Sequence, residues 1–520
     1  MEESKEVENK KSIIKRGFSL WIEDNYNKAF ILFLILAFII RIWIFTKTLN
    51  QPLWWDEADY LVSAKKWAGL SLNNIWYYRR GFLWPLFCTL FFKLGLGETG
   101  IRFSMVLFST GIIGISYFII KELFSKKLAL YTIIGLVFSW IFIFFTGRLL
   151  TDIPATFFIL LSLLFFCKGY INNKGGGDLY LFSIFYALAV LTRMQFLMFA
   201  PIFFIYILTK EKFSFIKNKR LWIALGIFFL ILSPQIYLYS SHYGNPVKDI
   251  LSHYLRINTG NTVVTEGTFS FVKIFAYFLN LNYMLTFPIF LLFLLGSFFF
   301  IIDLFLGIDK IFHNENLRKY LFIFLWIIIP FLVLGYITEY VEQRYISSTL
   351  LFVFFIISLS LIKIEDFIKI NINLDRKKIN LIILLFFVLL LAFPTISVLK
   401  YKSNLFFGAE LTDSKKTSYL EVMQAGLWLK GNSTGSDGII GESLPQLMYY
   451  SERQTYNWDH DLCERDSSLC KYKEGEAGFD ELVKDKNPAF FVLSMFEYFQ
   501  LSPPSVDFIM IPLSPTANPA

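Results

Sequence analysis

Long apolar runs recur along this chain, separated by short charged interruptions, and they set the expected architecture before any motif is considered. Eleven runs predict membrane spans: Ala29–Phe45, Ile101–Ile120, Leu128–Phe145, Ile153–Cys167, Leu179–Leu191, Phe196–Leu208, Leu221–Tyr239, Met284–Ile302, Tyr320–Ile337, Ile346–Ile362 and Ile379–Leu399. Several fall short of the roughly 20 residues that a perpendicular helix needs, so thin, broken or paired helices are expected between 153 and 208. Two shorter runs, Phe82–Leu94 and Phe269–Leu281, read as interfacial or re-entrant helices.

The pattern changes after Leu399. TSYLEVMQAGLWLKGN carries helical apolar spacing and ends at Gly431, DGIIGES reads as a short strand entering a turn, and FDELVKDKNPAFFVLSMFEYF reads as a helix followed by a buried strand. The fold class is therefore an all-α polytopic membrane bundle of about eleven helices with a small C-terminal extracytoplasmic α/β domain. The expected domains are an N-terminal segment 1–28, a membrane domain 29–399 with a long first loop 46–100, an α/β domain 400–501 and a Pro-rich tail 502–520.

Composition supports the bundle: 55% of the residues are hydrophobic and the mean hydropathy is +0.53. Charge orients it. With the N-terminus inside, the inside segments hold 24 Lys and Arg in 91 residues, against 11 in 105 residues outside. That places 46–100 outside, and an odd number of spans sends the C-terminal domain to the same side. The net charge of +8 divides into −6 over residues 400–520 and +14 over the membrane part, a topological bias that argues for no nucleic-acid partner. The N-terminus has no cleavable signal pattern, so the first span is expected to be an uncleaved anchor. Four cysteines make no disulfide framework; Cys463 and Cys470 either bridge in the outside domain or remain free thiols.

Chemistry concentrates in LWWDEADYL, residues 53 to 61, where Asp56, Glu57 and Asp59 stand beside a membrane span. The plain reading is a solvated interfacial loop with Trp54 and Trp55 as belt aromatics. Against it, the loop continues as an amphipathic stretch, YLVSAKKWAGL, and then as IWYYRRGFLWPLF, with Arg79 and Arg80 among aromatic residues. Carboxylates and paired arginines on one loop are the two halves of a site that deprotonates an acceptor and holds a phosphate.

These residues resemble the GT-C class of integral-membrane glycosyltransferases, in the branch of the protein O-mannosyltransferases and the lipid A aminoarabinose transferase. The resemblance runs through WWDEADYLVSAKKW, YYRRGFLWPLF, ETGIRFSMVLFSTGIIGISYFIIKELFSKK, TGRLLTDIPATFFILLSLLFF, LTRMQFLMFAPIFF and EYVEQRYISSTLLFVFFIISL. It implies a polyprenyl (dolichyl or undecaprenyl) phosphate sugar donor, inverting transfer, and a protein, lipid or glycan acceptor at the outer membrane face. It also implies Asp56 as general base, with Glu57 and Asp152 as further acids, and Arg80, Arg148 and Arg344 as donor-phosphate ligands. Arg79, Arg193 and Tyr345 are secondary candidates; Arg79 stands where a relative has an acid associated with a metal. No cofactor is required by the sequence, and a divalent metal stays open.

The chemistry explains the residue types. Transfer from a polyprenyl phosphate needs a base for the acceptor proton and cations for the charge developing on the leaving phosphate. Arg suits the second role through its forked, permanently charged guanidinium. Other readings stand beside this one. Arg41 is expected to snorkel, as is Arg102 in one of its two readings. For Arg193 the structural and functional readings are even, and His242 with His253 makes a poor metal site. A transporter or lipid flippase would need ionisable residues near the span centres, which are almost free of charge here. An inactive accessory relative is the remaining alternative.

Overall fold

The computed structural model describes residues 26–71, 73, 80–173, 176–245, 271–337, 341–371, 376–400, 419–441, 443–456 and 476–492. Among them, seven helices are long and apolar enough to cross a membrane: Tyr26–Thr48, Gly97–Leu123, Asp152–Ile171, Lys219–His242, Phe287–Leu306, Glu315–Ile337 and Gln343–Asn371. An eighth is supplied by Lys126–Val137 with Trp140–Thr146, bent by 53° where Ser139 adopts an extended backbone. The protein is thus a multi-pass membrane protein. The predicted run Leu179–Leu191 appears as the shorter helix Gly176–Thr192, and Phe196–Leu208 is a 3₁₀ turn, Met194–Phe199, running into Ala200–Glu211. A π-helical turn, Cys167–Ile171, ends the preceding span, so the broken geometry expected between 153 and 208 is present. The two short runs form the helices Leu83–Lys93 and Phe271–Leu285.

The chain divides into two compact units. The membrane unit comprises 1–46, 105–147 and 152–411. At its centre lies the span Gln343–Asn371, 83% buried over its most apolar window, whereas Lys219–His242 is only 22% buried by the rest of the described chain. Rings of Phe166, Phe203, Tyr206, Phe322 and Trp326 interlock in this core at centroid distances of 5.0 to 6.0 Å. Arg41 departs from expectation. It is fully buried, donating to Ser109 Oγ at 2.7 Å and to the Ala37 carbonyl at 3.2 Å, because neighbouring helices offer acceptors closer than the interface.

The second unit comprises 47–104, 148–151 and 412–520, so the first loop and the C-terminal region belong together. Its sheet has the order β2-β1-β3, with Ile439–Gly441 (β1) between Thr455–Tyr456 (β2) and Phe490–Val492 (β3). Both pairings are parallel, which requires crossovers, and Leu444–Ser451 supplies the helix between β1 and β2. Ile439 and Leu447 pack with Val422 and Leu429 of the helix Leu420–Asn432. Helix Leu444–Ser451, which the apolar pattern did not predict, lies against Trp55–Trp67 through Lys65, whose Nζ is 2.8 Å from Glu452 Oε1. Cys463 and Cys470 lie outside the described residues, while Cys88 and Cys167 are buried free thiols.

Close helix contact in the membrane unit rests on one small residue in particular. A Cβ on Gly296 would lie 2.2 Å from the Ile356 carbonyl oxygen, a backbone atom that cannot turn away. Gly296→Ala should therefore lower stability by about 1–3 kcal/mol through overpacking, visible as a fall in thermal midpoint in detergent. An unchanged midpoint would show that these helices are free to separate.

Candidate functional site

The helix Trp55–Trp67 begins just after Pro52, with acids in its first turn and Lys65 and Lys66 in its last, the arrangement that the helix dipole favours. Adjacent acids meet opposite fates at its start. Glu57 is fully buried: Oε2 accepts from the Trp54 N–H at 2.6 Å, and Oε1 accepts from the Leu149 N–H at 2.6 Å. The Arg148 guanidinium adds a contact of 3.3 Å, with side chains 1% and 0% exposed. Arg148 also donates to the Pro52 carbonyl at 3.0 Å and stacks 4.0 Å from the Trp54 ring centroid. Both groups are thus occupied by the protein itself.

Asp56 keeps 30% of its side chain exposed. Its Oδ1 lies 3.0 Å from Arg80 Nη2, while Nη1 of the same guanidinium lies 2.8 Å from Oδ2 of buried Asp59. One arginine therefore bridges two carboxylates one turn apart on the helix. Burial alone would lower the Arg80 pKa, but the negative field of Tyr60, Asp56 and Asp59 outweighs it, and the net shift is upward. Asp59 carries no assigned role in the sequence; its place beside Asp56 and Glu57 in LWWDEADYL is the available signal. Arg79 lies outside the described residues.

A second charged cluster belongs to the membrane unit. Asp152 opens the helix Asp152–Phe166, where a carboxylate is favoured by the helix dipole, and it is 3% exposed. Its Oδ1 is 2.9 Å from Arg193 Nη1, and its buried Oδ2 has no hydrogen-bond partner among the described residues. The Arg193 and Arg344 guanidinium carbons lie 5.0 and 5.2 Å from the Tyr345 ring centroid, and Arg344 pairs with Glu342. Among the described residues no three His, Cys, Asp or Glu side chains gather in a way that could hold a metal. Between Asp56 and Asp59 the positive charge is supplied by Arg80, so this donor set does not fit a metal ion.

Comparison with solved structures places these elements in a known architecture. The crystal structure of ArnT from Cupriavidus metallidurans bound to undecaprenyl phosphate matches with a TM-score of 0.62 and 13% identity, covering 93% of this chain and 94% of that one. Its apo form matches with a TM-score of 0.61 and 14% identity, covering 90% and 93%. The chain has the GT-C fold. The archaeal oligosaccharyltransferase AglB from Archaeoglobus fulgidus, in complex with an inhibitory peptide and a dolichol-phosphate, also matches, with a TM-score of 0.59, 12% identity and coverage of 92% and 70%. A family model described as dolichyl-phosphate-mannose-protein mannosyltransferase matches residues 79–238, and no curated protein matches by sequence. The resemblance to GT-C glycosyltransferases drawn from the sequence fragments is borne out by both kinds of match.

Within this GT-C fold, the Glu57–Arg148 pair predicts a separation of roles between neighbouring acids. Removing one partner of a buried, hydrogen-bonded ion pair costs about 3–5 kcal/mol, because the other charge is left uncompensated. Glu57→Ala should therefore lower the unfolding midpoint sharply, whereas Asp56→Asn, at a part-exposed position, should barely move it. Equal stability of the two variants would contradict the burial-based distinction.

Proposed function

We propose that this protein transfers a sugar from a polyprenyl phosphate carrier to an acceptor hydroxyl at the extracytoplasmic membrane face, with inversion, and that Asp56 is the general base. The single observation that carries the reading is the contrast at the Asp-Glu pair: Glu57 is consumed by internal bonds, while Asp56 is accessible and poised by Arg80. Relatives in fold lend it chemistry. ArnT has been solved with undecaprenyl phosphate, and AglB with a dolichol-phosphate and a peptide.

In the proposed reaction Asp56 takes the proton of the acceptor hydroxyl as its oxygen attacks the anomeric carbon from the face opposite the phosphate. The bond from that carbon to the phosphate oxygen breaks, and the carrier phosphate leaves with the electron pair. Arg80 pairs with Asp56 and offers its guanidinium to phosphate oxygens. Arg148, already bound to Glu57 and Pro52, is better read as a scaffold for the loop than as a phosphate ligand. Asp152, Arg193, Arg344 and Tyr345 form the charged cluster of the membrane unit, and Arg344 retains the proposed phosphate-binding role there.

Orientation follows the charge bias, with the N-terminus cytoplasmic. Residues 47–104 and 412–520 forming one compact unit supports their sharing a side. The acceptor is a protein, lipid or glycan hydroxyl, and the donor enters sideways from the lipid.

Asp56→Asn keeps shape but removes basicity, so purified protein should still bind donor lipid while losing roughly 10²-fold or more of its transfer rate. Near-normal transfer by this variant would remove Asp56 from the role. For Arg344→Ala, loss of a charge-assisted bond of about 1.5–3 kcal/mol should weaken donor affinity at least tenfold. Unchanged affinity would return Arg344 to a purely structural part.

A further inference from the structure

We infer that the C-terminal helix Leu444–Ser451 sets the position of Asp56, with Tyr450 and Gln446 as positioning residues that hold the backbone leading into the Trp55–Trp67 helix. The inference rests on the reading of Asp56 as the base. Its ground is a run of five residues, Gln51 to Trp55, in which each backbone is held by a side chain. The Gln51 carbonyl accepts from Arg102 at 2.9 Å and the Pro52 carbonyl accepts from Arg148 at 3.0 Å. The Leu53 N–H donates to Tyr450 Oη at 2.8 Å, and the Trp54 N–H donates to Glu57 at 2.6 Å. With its amide in the orientation that satisfies both ends, Gln446 accepts from the Trp55 N–H at 3.0 Å and donates to the Ser443 carbonyl at 3.2 Å.

The next residue is Asp56. Helix N-termini leave their first N–H groups without intrahelical partners, and water usually serves exposed ones. Here Leu53 and Gln446 are fully buried and Tyr450 nearly so, so the groups on the tail helix are fixed acceptors inside the protein. Tyr449 extends the same hold: its hydroxyl donates to Glu98 at 2.8 Å, and Glu98 lies 2.6 Å from the Arg102 guanidinium that grips Gln51. Burial and the neighbouring Glu98 push the Tyr449 and Tyr450 phenols above their ordinary pKa, so both hydroxyls stay protonated at neutral pH.

A second latch acts at the far end of the same helix. Lys65 Nζ sits 4.0 Å from the Tyr449 ring centroid and 2.8 Å from Glu452, which also pairs with Lys430 at 2.7 Å. Held at both ends, the helix cannot turn about its axis without breaking buried bonds, and the direction of the Asp56 carboxylate follows. General-base catalysis is sensitive to this, because a displacement of about 1 Å at a reacting group can cost 10²-fold in rate. Residues nearly 400 positions downstream thereby govern the geometry of the proposed base.

The test uses full-length Tyr450→Phe and Gln446→Leu proteins, each of which removes one acceptor and keeps the packing volume. Amide hydrogen exchange over residues 51–57 and steady-state transfer kinetics are measured side by side. Exchange in this segment should accelerate by roughly tenfold, the equivalent of one lost hydrogen bond. The kcat should fall about tenfold or more while the KM for the donor lipid stays the same. Unchanged exchange in whichever variants fold would overturn the hold. Faster exchange with unchanged kcat would overturn positioning if Asp56→Asn is inactive. If Asp56→Asn is active, the failure belongs to the assignment of the base, and the exchange result still judges the hold by itself.

Discussion

The second unit depends on one buried carboxylate. Glu57 draws together the start of its own helix, through the Trp54 N–H, and the 148–151 segment, through Arg148 and the Leu149 N–H. A charge sealed from water is tolerated only when every lone pair finds a donor, and each donor here comes from a part of the chain that must therefore stay in place. Trp84 reinforces the same segment by donating from its indole to the Leu149 carbonyl at 3.0 Å. The two adjacent acids are thereby set apart: Glu57 is sealed into the fold, while Asp56 keeps 30% of its side chain exposed beside Arg80, the contrast on which the proposed base assignment rests.

Charge in the membrane unit is likewise met by partners inside the bundle. Arg41 finds Ser109 and backbone carbonyls inside the bundle, and Lys127 closes on the fully buried Glu365 at 2.7 Å. Asp152 meets Arg193 at the start of its helix. Each of these charged side chains has at least one partner in the bundle, which is why the apolar runs can carry it.

Much of this was legible in the sequence. Among the described residues most of the apolar runs fall on helices, because bilayer crossing needs long uncharged segments and charge marks their ends, although the breaks at Ser139 and Thr286 carry no signal in the runs. LWWDEADYL marked where the charge gathers but read as part of a long loop, where Trp55 in fact opens a helix, and the fragments that resemble GT-C enzymes led to the correct fold. Partner choice was not legible. Nothing in the spacing of Asp56 and Glu57 tells which is buried, since that depends on Arg148 arriving from 91 residues away. Helix Leu444–Ser451 has little sequence signal because LPQLMYYS is short and has a proline at its second position, and its value lies in contacts with residues near position 53. Arg41 reads as a snorkelling cation because Ser109 and the Leu136 carbonyl, which help hold it inside, belong to other helices.

The central claim is a chemical one, and purified protein in lipid nanodiscs tests it most directly. Polyprenyl phosphate carriers bearing a labelled sugar are supplied together with candidate protein, lipid and glycan acceptors, and the label is followed. The account predicts that label leaves the carrier for an acceptor hydroxyl with inverted anomeric configuration, releasing polyprenyl phosphate. Label that stays on its carrier while the carrier crosses the bilayer in proteoliposomes would contradict it and establish a transporter instead.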